Sequence, residues 1–184
     1  MHTNYLIGEK NIQEKNIIEE YYSNLYENLE KIAIVYNEVE ISFRDLEIYS
    51  NQLVEKIREY TEMKIGVLAE RSPFFLISIL AIFKINAIYV PLIPSVPDDR
   101  MVNMIQQADV RVILTQEKFY DKVQKLKGKC SAMFITYLDN FELNQNDVTS
   151  TLCNMSKIED KYNNRIHEDN GAYILFTSGT SGVP

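Results

Sequence analysis

The sequence predicts a mostly parallel, doubly wound α/β sheet with helices on both faces. Three observations lead there. From residue 64 onward, short β-branched runs alternate with helix-length segments, the pattern of βαβ units. The segment over residues 74–85 is apolar nearly all round, which suits a helix packed deep in a core. Finally Tyr173-Ile174-Leu175-Phe176, with the composition of a buried strand, empties into a loop of hydroxyls and glycines. Ligands of doubly wound sheets sit beyond the carboxyl ends of the strands, and this loop follows such an end.

The elements follow in order. Ile17, Ile18, Tyr21, Tyr22, Leu25, Tyr26 and Leu29 recur at helical spacing, predicting an amphipathic helix over residues 11–30. Strands at 32–36 and 39–41, joined through Asn37-Glu38, read as a hairpin. Ser42 then reads as an N-cap with Asp45 as its capping partner, opening a helix to about residue 60. Its apolar stripe is Phe43, Leu46, Tyr49, Leu53 and Ile57. A strand at 64–69 follows, and Ser72-Pro73 opens the next helix, the serine as cap and the proline in the first turn. A strand at 87–92 runs into a proline-rich turn over 91–97. A helix over 98–108 carries Asp98 and Asp99 in its first turn, matching the macrodipole. A strand at 110–114, a helix at 117–126 and a strand at 131–135 complete the alternation. The right-handed crossover rule then puts helices on both faces. Residues 138–170, rich in Asn, Asp and Glu, read as an irregular surface connection with room for one weak element.

Composition narrows the function. A chain of 184 residues is long enough for one domain. With 19 basic and 26 acidic residues its net charge is −7, which disfavours nucleic acid or anionic lipid as partner. ATP is bound by local dipoles, so net charge says nothing against it. Residues 74–93 approach the length of a bilayer span, but Lys84, Asn86 and Pro91 interrupt them. A buried helix running into a buried strand accounts for them better, and no membrane association is expected. The N-terminus lacks a basic segment followed by an apolar core, so no signal peptide is indicated and a cytoplasmic location is expected. Cys130 and Cys153 lack metal-ligand spacing, and His2 and His167 are the only histidines, so no metal-binding residue is assigned. A disulfide between the two cysteines stays open, with two reduced thiols the plainer reading. The acidic pairs Glu19-Glu20, Asp98-Asp99 and Glu159-Asp160 read as solvated surface. No Ser/His/Asp or Cys/His constellation is present, and no catalytic residue is assigned.

The candidate binding residues are Thr177, Ser178, Gly179, Thr180, Ser181 and Gly182. Glycines let backbone approach a ligand, and successive N–H groups can converge on phosphate oxygens. The hydroxyls add donors without adding negative charge. The G-x-x-x-x-G-K-[ST] spacing of the commonest phosphate loop is absent. A polar surface turn or linker is the other reading of the same composition.

Four stretches, in order, resemble the adenylate-forming (AMP-binding) enzyme superfamily, and most closely the amino-acid adenylation domains of nonribosomal peptide synthetases. Ile41-Ser42-Phe43-Arg44-Asp45-Leu46, continuing through Ser50-Asn51-Gln52-Leu53, is similar to the first core motif. Phe83-Lys84-Ile85-Asn86-Ala87-Ile88-Tyr89-Val90-Pro91-Leu92 is similar to the second, and Pro94 to Arg100 matches the P-x-x-P-x-x-R after it. Thr177 to Pro184 matches the third, the phosphate loop. Asn86 stands where the family usually has glycine, and Ile93 where it often has aspartate. The lysine and glycine expected after Pro184 are missing, as is the far larger remainder of such a domain. The resemblance therefore implies that residues 1–184 are a truncated N-terminal subdomain of one adenylation domain, ending within its phosphate loop.

The resemblance implies a ligase that joins a carboxylic acid, here an amino acid, to the α-phosphate of ATP, releasing magnesium pyrophosphate. The acyl group then passes to a phosphopantetheine thiol on a peptidyl carrier domain. Thr177 to Gly182 would hold the β- and γ-phosphates. Adenine and ribose contacts, the magnesium ligand and the catalytic lysine belong downstream in the family, so the chain alone is expected to be inactive and to bind ATP weakly or undetectably. Two alternatives stay open. One is a fragment of an acyl-CoA or aryl-acid ligase. The other is a non-catalytic partner-binding module or split protein completed by a second chain.

Overall fold

A computed structural model of the chain describes residues 17–137 and 171–176. Five α-helices and six strands run through the described residues. Helix α1, Ile17–Asn28, buries Ile18, Tyr22 and Leu25, spaced to form one stripe, against Leu80 and Phe83 of a later helix. Strands β1, Ile32–Tyr36, and β2, Val39–Ser42, form an antiparallel hairpin. Asn37 takes the positive φ, 54°, that its two-residue turn requires. Ile34 and Ile41 face inward, and Val35 and Val39 face solvent.

Helix α2, Phe43–Ile57, starts with the reciprocal cap its sequence announces. Ser42 Oγ accepts from the Asp45 backbone N–H at 3.1 Å, and the Asp45 carboxylate accepts from the Ser42 backbone N–H at 3.4 Å. Such a cap contributes about 1 kcal/mol. A 3₁₀ turn, Arg58–Tyr60, ends the helix. Helix α3, Pro73–Lys84, begins with proline in its first turn as expected, but Ser72 does not cap it. The Ser72 hydroxyl turns back and donates to the Glu70 carbonyl at 3.2 Å, a local bond that competes with the helix for the same group.

Four strands make the parallel sheet, in the order β4-β3-β5-β6: β3 Lys64–Leu68, β4 Ile88–Leu92, β5 Val112–Gln116 and β6 Met133–Tyr137. Between them run α4, Asp98–Gln107, and α5, Tyr120–Lys127, the latter preceded by a 3₁₀ turn at Glu117–Phe119. Alternate residues of each strand face opposite sides. Ile65, Val67, Tyr89, Val112 and Leu114 pack with α2 and α3, while Leu68, Val90, Leu92 and Ile113 pack with α4 and α5. Helices therefore cover both faces, and the sheet is doubly wound as the sequence predicts. At the centre of β3, Gly66 has no room for a side chain. A Cβ there would lie 2.7 Å from Leu92 Cδ1 and 3.2 Å from both Ile113 Cγ1 and Val110 Cγ1.

Two expectations shift by two residues. The strand expected at 110–114 begins at Val112, because Val110 completes the end of α4. Its N–H bonds the Ile105 carbonyl at 2.9 Å, with Asp109 ahead of it at φ 53°. The strand then runs on into Thr115 and Gln116, polar residues that are almost fully buried. The last strand likewise starts at Met133 rather than 131. Asn86, in the place where the family favours glycine, has φ 57° and closes α3 the same way. Its N–H bonds Phe83, and that of Ala87 bonds Ile82. Asparagine tolerates this left-handed conformation better than any residue with a bulkier side chain, so the departure leaves the turn intact.

Residues 171–176 join the sheet beside β4, parallel to it. The Tyr89 N–H bonds the Ala172 carbonyl at 3.0 Å and the Ile174 N–H bonds the Tyr89 carbonyl at 2.9 Å. This segment is not the buried strand its composition suggests. Ile174 and Phe176 pack against the α4/α5 cluster, but Tyr173 and Leu175 are each 59% exposed. The reason is position: among the described residues it is the edge of the sheet.

Candidate functional site

The six predicted phosphate-loop residues, Thr177 to Gly182, lie outside the described residues, as does the predicted connection at 138–170 and the pair Glu159-Asp160. The described chain ends at Phe176, on the strand that leads to that loop, at the carboxyl edge of the sheet beside β4.

Two groups of side chains occupy that edge. Between β3 and β5, where the strand order reverses, polar atoms satisfy one another. The Thr115 hydroxyl donates to the Leu68 carbonyl at 3.2 Å, and Gln116 Oε1 accepts from the Glu70 N–H at 3.3 Å. Lys118 pairs with Glu70 at 2.8 Å on the surface. After β4, the proline-rich turn is pinned from the opposite helix. Lys122 Nζ donates to the Val96 carbonyl at 2.7 Å and pairs with Asp98 at 3.0 Å. The hydrogen bond from Lys122 holds the Asp98 carboxyl below the usual carboxylate range. Asp99 pairs with Lys129 at 2.7 Å, and this raises the Lys129 amine. The acidic pair Asp98-Asp99, read from sequence as plain solvated surface, thus ties α4 to the lysines of and just after α5.

Beside Asp99 stands Arg100. Its Nε is buried and has no hydrogen-bond partner among the described residues. Tyr89 shares this condition on the other face of β4. Its ring meets Phe75 edge-on at 6.0 Å, its hydroxyl is buried without a partner among the described residues, and burial pushes its pKa up to about 12.

Sequence reasoning missed a buried polar cluster among the described residues. Lys84 and Glu47 are both 0% exposed and paired at 2.7 Å. Lys84 Nζ also donates to Ser50 Oγ at 2.7 Å and to Asn51 Oδ1 at 2.8 Å, which uses all three of its N–H bonds. Glu47 accepts in addition from Asn51 Nδ2 at 2.8 Å and from the Tyr21 hydroxyl at 2.9 Å. The rings of Tyr21 and Tyr22 each lie 5.7 Å from the ammonium. Burial pushes the Lys84 amine down, and the Glu47 carboxylate opposes that shift. The Tyr21 hydroxyl is pushed up, first by burial and then by Glu47. A signal was present in the sequence: Glu47, Ser50 and Asn51 repeat at helical spacing and so share one face of α2. The Lys84–Glu47 pair is neutral as a whole and closed to solvent, and through it the cluster holds α1, α2 and α3 together.

Among the described residues no group of three His, Cys, Asp or Glu side chains could hold a metal, and no helix is long and apolar enough to cross a membrane. The Cys130 thiol is free and donates to the Leu126 carbonyl at 3.3 Å.

Known proteins share both the sequence and the fold. The family model described as AMP-binding enzyme matches residues 23–184. The chain is similar to gramicidin S synthase 2 of Brevibacillus brevis, with 31% identity over 156 residues, covering 83% of this chain and 3% of that protein. In structure it is similar to the N-terminal subdomain of Klebsiella oxytoca NpsA, with a TM-score of 0.68 at 20% identity, covering 94% of this chain and 41% of the other. It is also similar to the anthranilate CoA ligase AuaEII, with a TM-score of 0.71 at 16% identity, covering 92% and 33%. At those identities the structural likeness is one of fold. The chain spans a small part of its sequence relative and less than half of either solved chain.

Proposed function

The chain belongs to the AMP-binding enzyme family, and on that premise we propose that it is the N-terminal part of an amino-acid-activating adenylation domain, inactive by itself. The observation that carries the reading is the parallel pairing of Tyr173 with Tyr89, which brings the chain to the carboxyl edge of the sheet immediately before the hydroxyl-and-glycine loop. The backbone and hydroxyls of Thr177 to Gly182 would grip the β- and γ-phosphates of ATP while an amino-acid carboxylate attacks the α-phosphate. Binding and orientation are the contribution of this chain. Adenine, ribose and carboxylate pockets would come from outside these 184 residues.

No carboxylate cluster among the described residues fits magnesium, so no residue here is assigned to it. Phosphopantetheine would arrive on a peptidyl carrier domain, and a cytoplasmic site, where ATP and carrier meet, goes with the reading. The resemblance of the four sequence stretches to peptide synthetase adenylation domains favours an amino acid as the acid. Likeness in fold to an anthranilate CoA ligase keeps an aryl-acid ligase as the second reading.

ATP–pyrophosphate exchange across a panel of amino acids and aryl acids tests both points. The purified chain should give none, and reproducible exchange would end the claim of inactivity. A chimera carrying residues 23–184 in a peptide synthetase adenylation domain should recover exchange. A folded chimera without it would refute the adenylation reading.

A further inference from the structure

We infer that helix α1 is a latch over the Lys84–Glu47 pair, a unit that opens ahead of the rest of the fold and admits water to the two charges. Its seat is a groove between α2 and α3. Phe43 at the start of α2, with Leu80 and Phe83 of α3, packs against Ile18, Tyr22 and Leu25 of α1. Glu47 stands one turn beyond Phe43 and Lys84 one turn beyond Leu80, so the ion pair continues the two walls on which α1 lies. The helix also touches the pair directly. The Tyr21 hydroxyl donates to Glu47 Oε2 at 2.9 Å, and the rings of Tyr21 and Tyr22 each lie 5.7 Å from Lys84 Nζ. With α1 seated, both charged side chains are 0% exposed.

Two features make α1 separable. Its buried side chains form a cluster of their own, laid on α2 and α3, which themselves cover the sheet. Its carboxyl end is pinned to the start of α2, where the Phe43 N–H donates to the Lys31 carbonyl and the Arg44 N–H to the Leu29 carbonyl, each at 3.0 Å. Residues 28–31 thus form a pivot, while Ile17 at the other end is 59% exposed. The ion pair supplies the bias toward opening. Charges taken out of water lose solvation that their mutual attraction repays only in part. Burial pushing the Lys84 amine down is the same loss seen at one group. The apolar gain of seating Ile18, Tyr22 and Leu25 is therefore offset by the dehydration of Lys84 and Glu47, and opening reverses both. The strands of the sheet bury no such pair, so α1 is the element that opens first.

Amide hydrogen exchange of the full 184-residue chain, read beside acetylation of Lys84 by an N-hydroxysuccinimide ester and located by mass spectrometry, tests this. Opening of α1 should depend only weakly on urea, and Lys84 should acetylate with that dependence and not with the steeper one of the β3 and β5 amides. Leu25→Ala should raise α1 exchange and Lys84 acetylation by a common factor of about thirty or more. Tyr21→Phe, a milder change, should raise both about tenfold by removing one hydrogen bond to a charge. Ile113→Val, on the opposite face of the sheet, should speed exchange in β3 and β5 by about threefold to tenfold and leave Lys84 acetylation unchanged. Lys84 acetylation that follows the sheet amides in urea, or that Ile113→Val accelerates by the same factor, places exposure of the pair in global unfolding and overturns the latch. Faster α1 exchange in Leu25→Ala with Lys84 acetylation unmoved shows that α1 does not seal the pair and overturns it as well. The inference is independent of the adenylation reading, which stands or falls on the exchange assay with pyrophosphate.

Discussion

Replacing Lys84 by methionine should be among the most damaging single changes in the described core. The side-chain volume is nearly kept, so the effect isolates the charge. In the native fold the ammonium touches Glu47, Ser50 and Asn51 with no access to water. Without it the Glu47 carboxylate remains buried with Asn51 and Tyr21 as its donors. Breaking a buried pair from one side costs about 3–5 kcal/mol, against a total stability for a domain of about 5–15 kcal/mol. Lys84→Met should therefore unfold at markedly lower urea, and Glu47→Leu should do likewise. The double variant Glu47→Leu, Lys84→Met should recover much of the loss, because no unpaired charge is left behind. Recovery should stop short of native, since Asn51 then loses two buried partners at about 1–3 kcal/mol. Urea unfolding followed by circular dichroism on the four proteins closes the cycle. A cost below about 1 kcal/mol for Lys84→Met, or single effects that simply add, would refute this account of the cluster.

Three further outcomes follow from other sites. Tyr89→Phe should raise stability at neutral pH by about 1 kcal/mol, by removing a buried hydroxyl with no partner among the described residues. Because burial raises the Tyr89 pKa from 10.0 to about 12, the unfolded chain ionises first, so stability is unaffected by this group below pH 10 and declines as pH climbs from there through 12. Tyr89→Phe should flatten that alkaline decline in a pH series of urea midpoints. Asn86→Ala should cost about 1–2 kcal/mol, since alanine is forced to φ 57° without asparagine's tolerance for it, and Asn86→Gly should cost less in the same assay. Gly66→Ala should cost about 1–3 kcal/mol by pressing a methyl into Leu92, Ile113 and Val110, with a lowered thermal midpoint as the readout.

How far the sequence reveals the fold depends on the range over which each cause acts. The capping box of α2 was legible because Ser42 and Asp45 are neighbours and the bond between them is local. The alternation that gives a parallel sheet was legible because buried strands and their crossover helices need different periodicities. The start of β5 was not. Val110 looks like strand and serves as the closing residue of α4, and Thr115 and Gln116 look like loop and lie inside the sheet. Their polarity is tolerable only because Leu68 and Glu70, distant in sequence, supply partners. Lys84 shows the same limit. From sequence it argued against a membrane span, and only the packing of α2 on α3 reveals the carboxylate that permits it to be buried.

The same test of satisfaction separates two places along the carboxyl edge of the sheet. In doubly wound folds the expected place is the crevice where strand order reverses, here between the carboxyl ends of β3 and β5. Thr115, Gln116 and Glu70 fill that crevice with bonds to protein partners, so a ligand entering it would have to displace groups of equal quality. One strand away, on the β4 side, the balance reverses. Lys122 and Lys129 claim both acids of the α4 first turn, and Arg100 keeps a buried donor that nothing among the described residues accepts. That corner is also where residues 171–176 join β4.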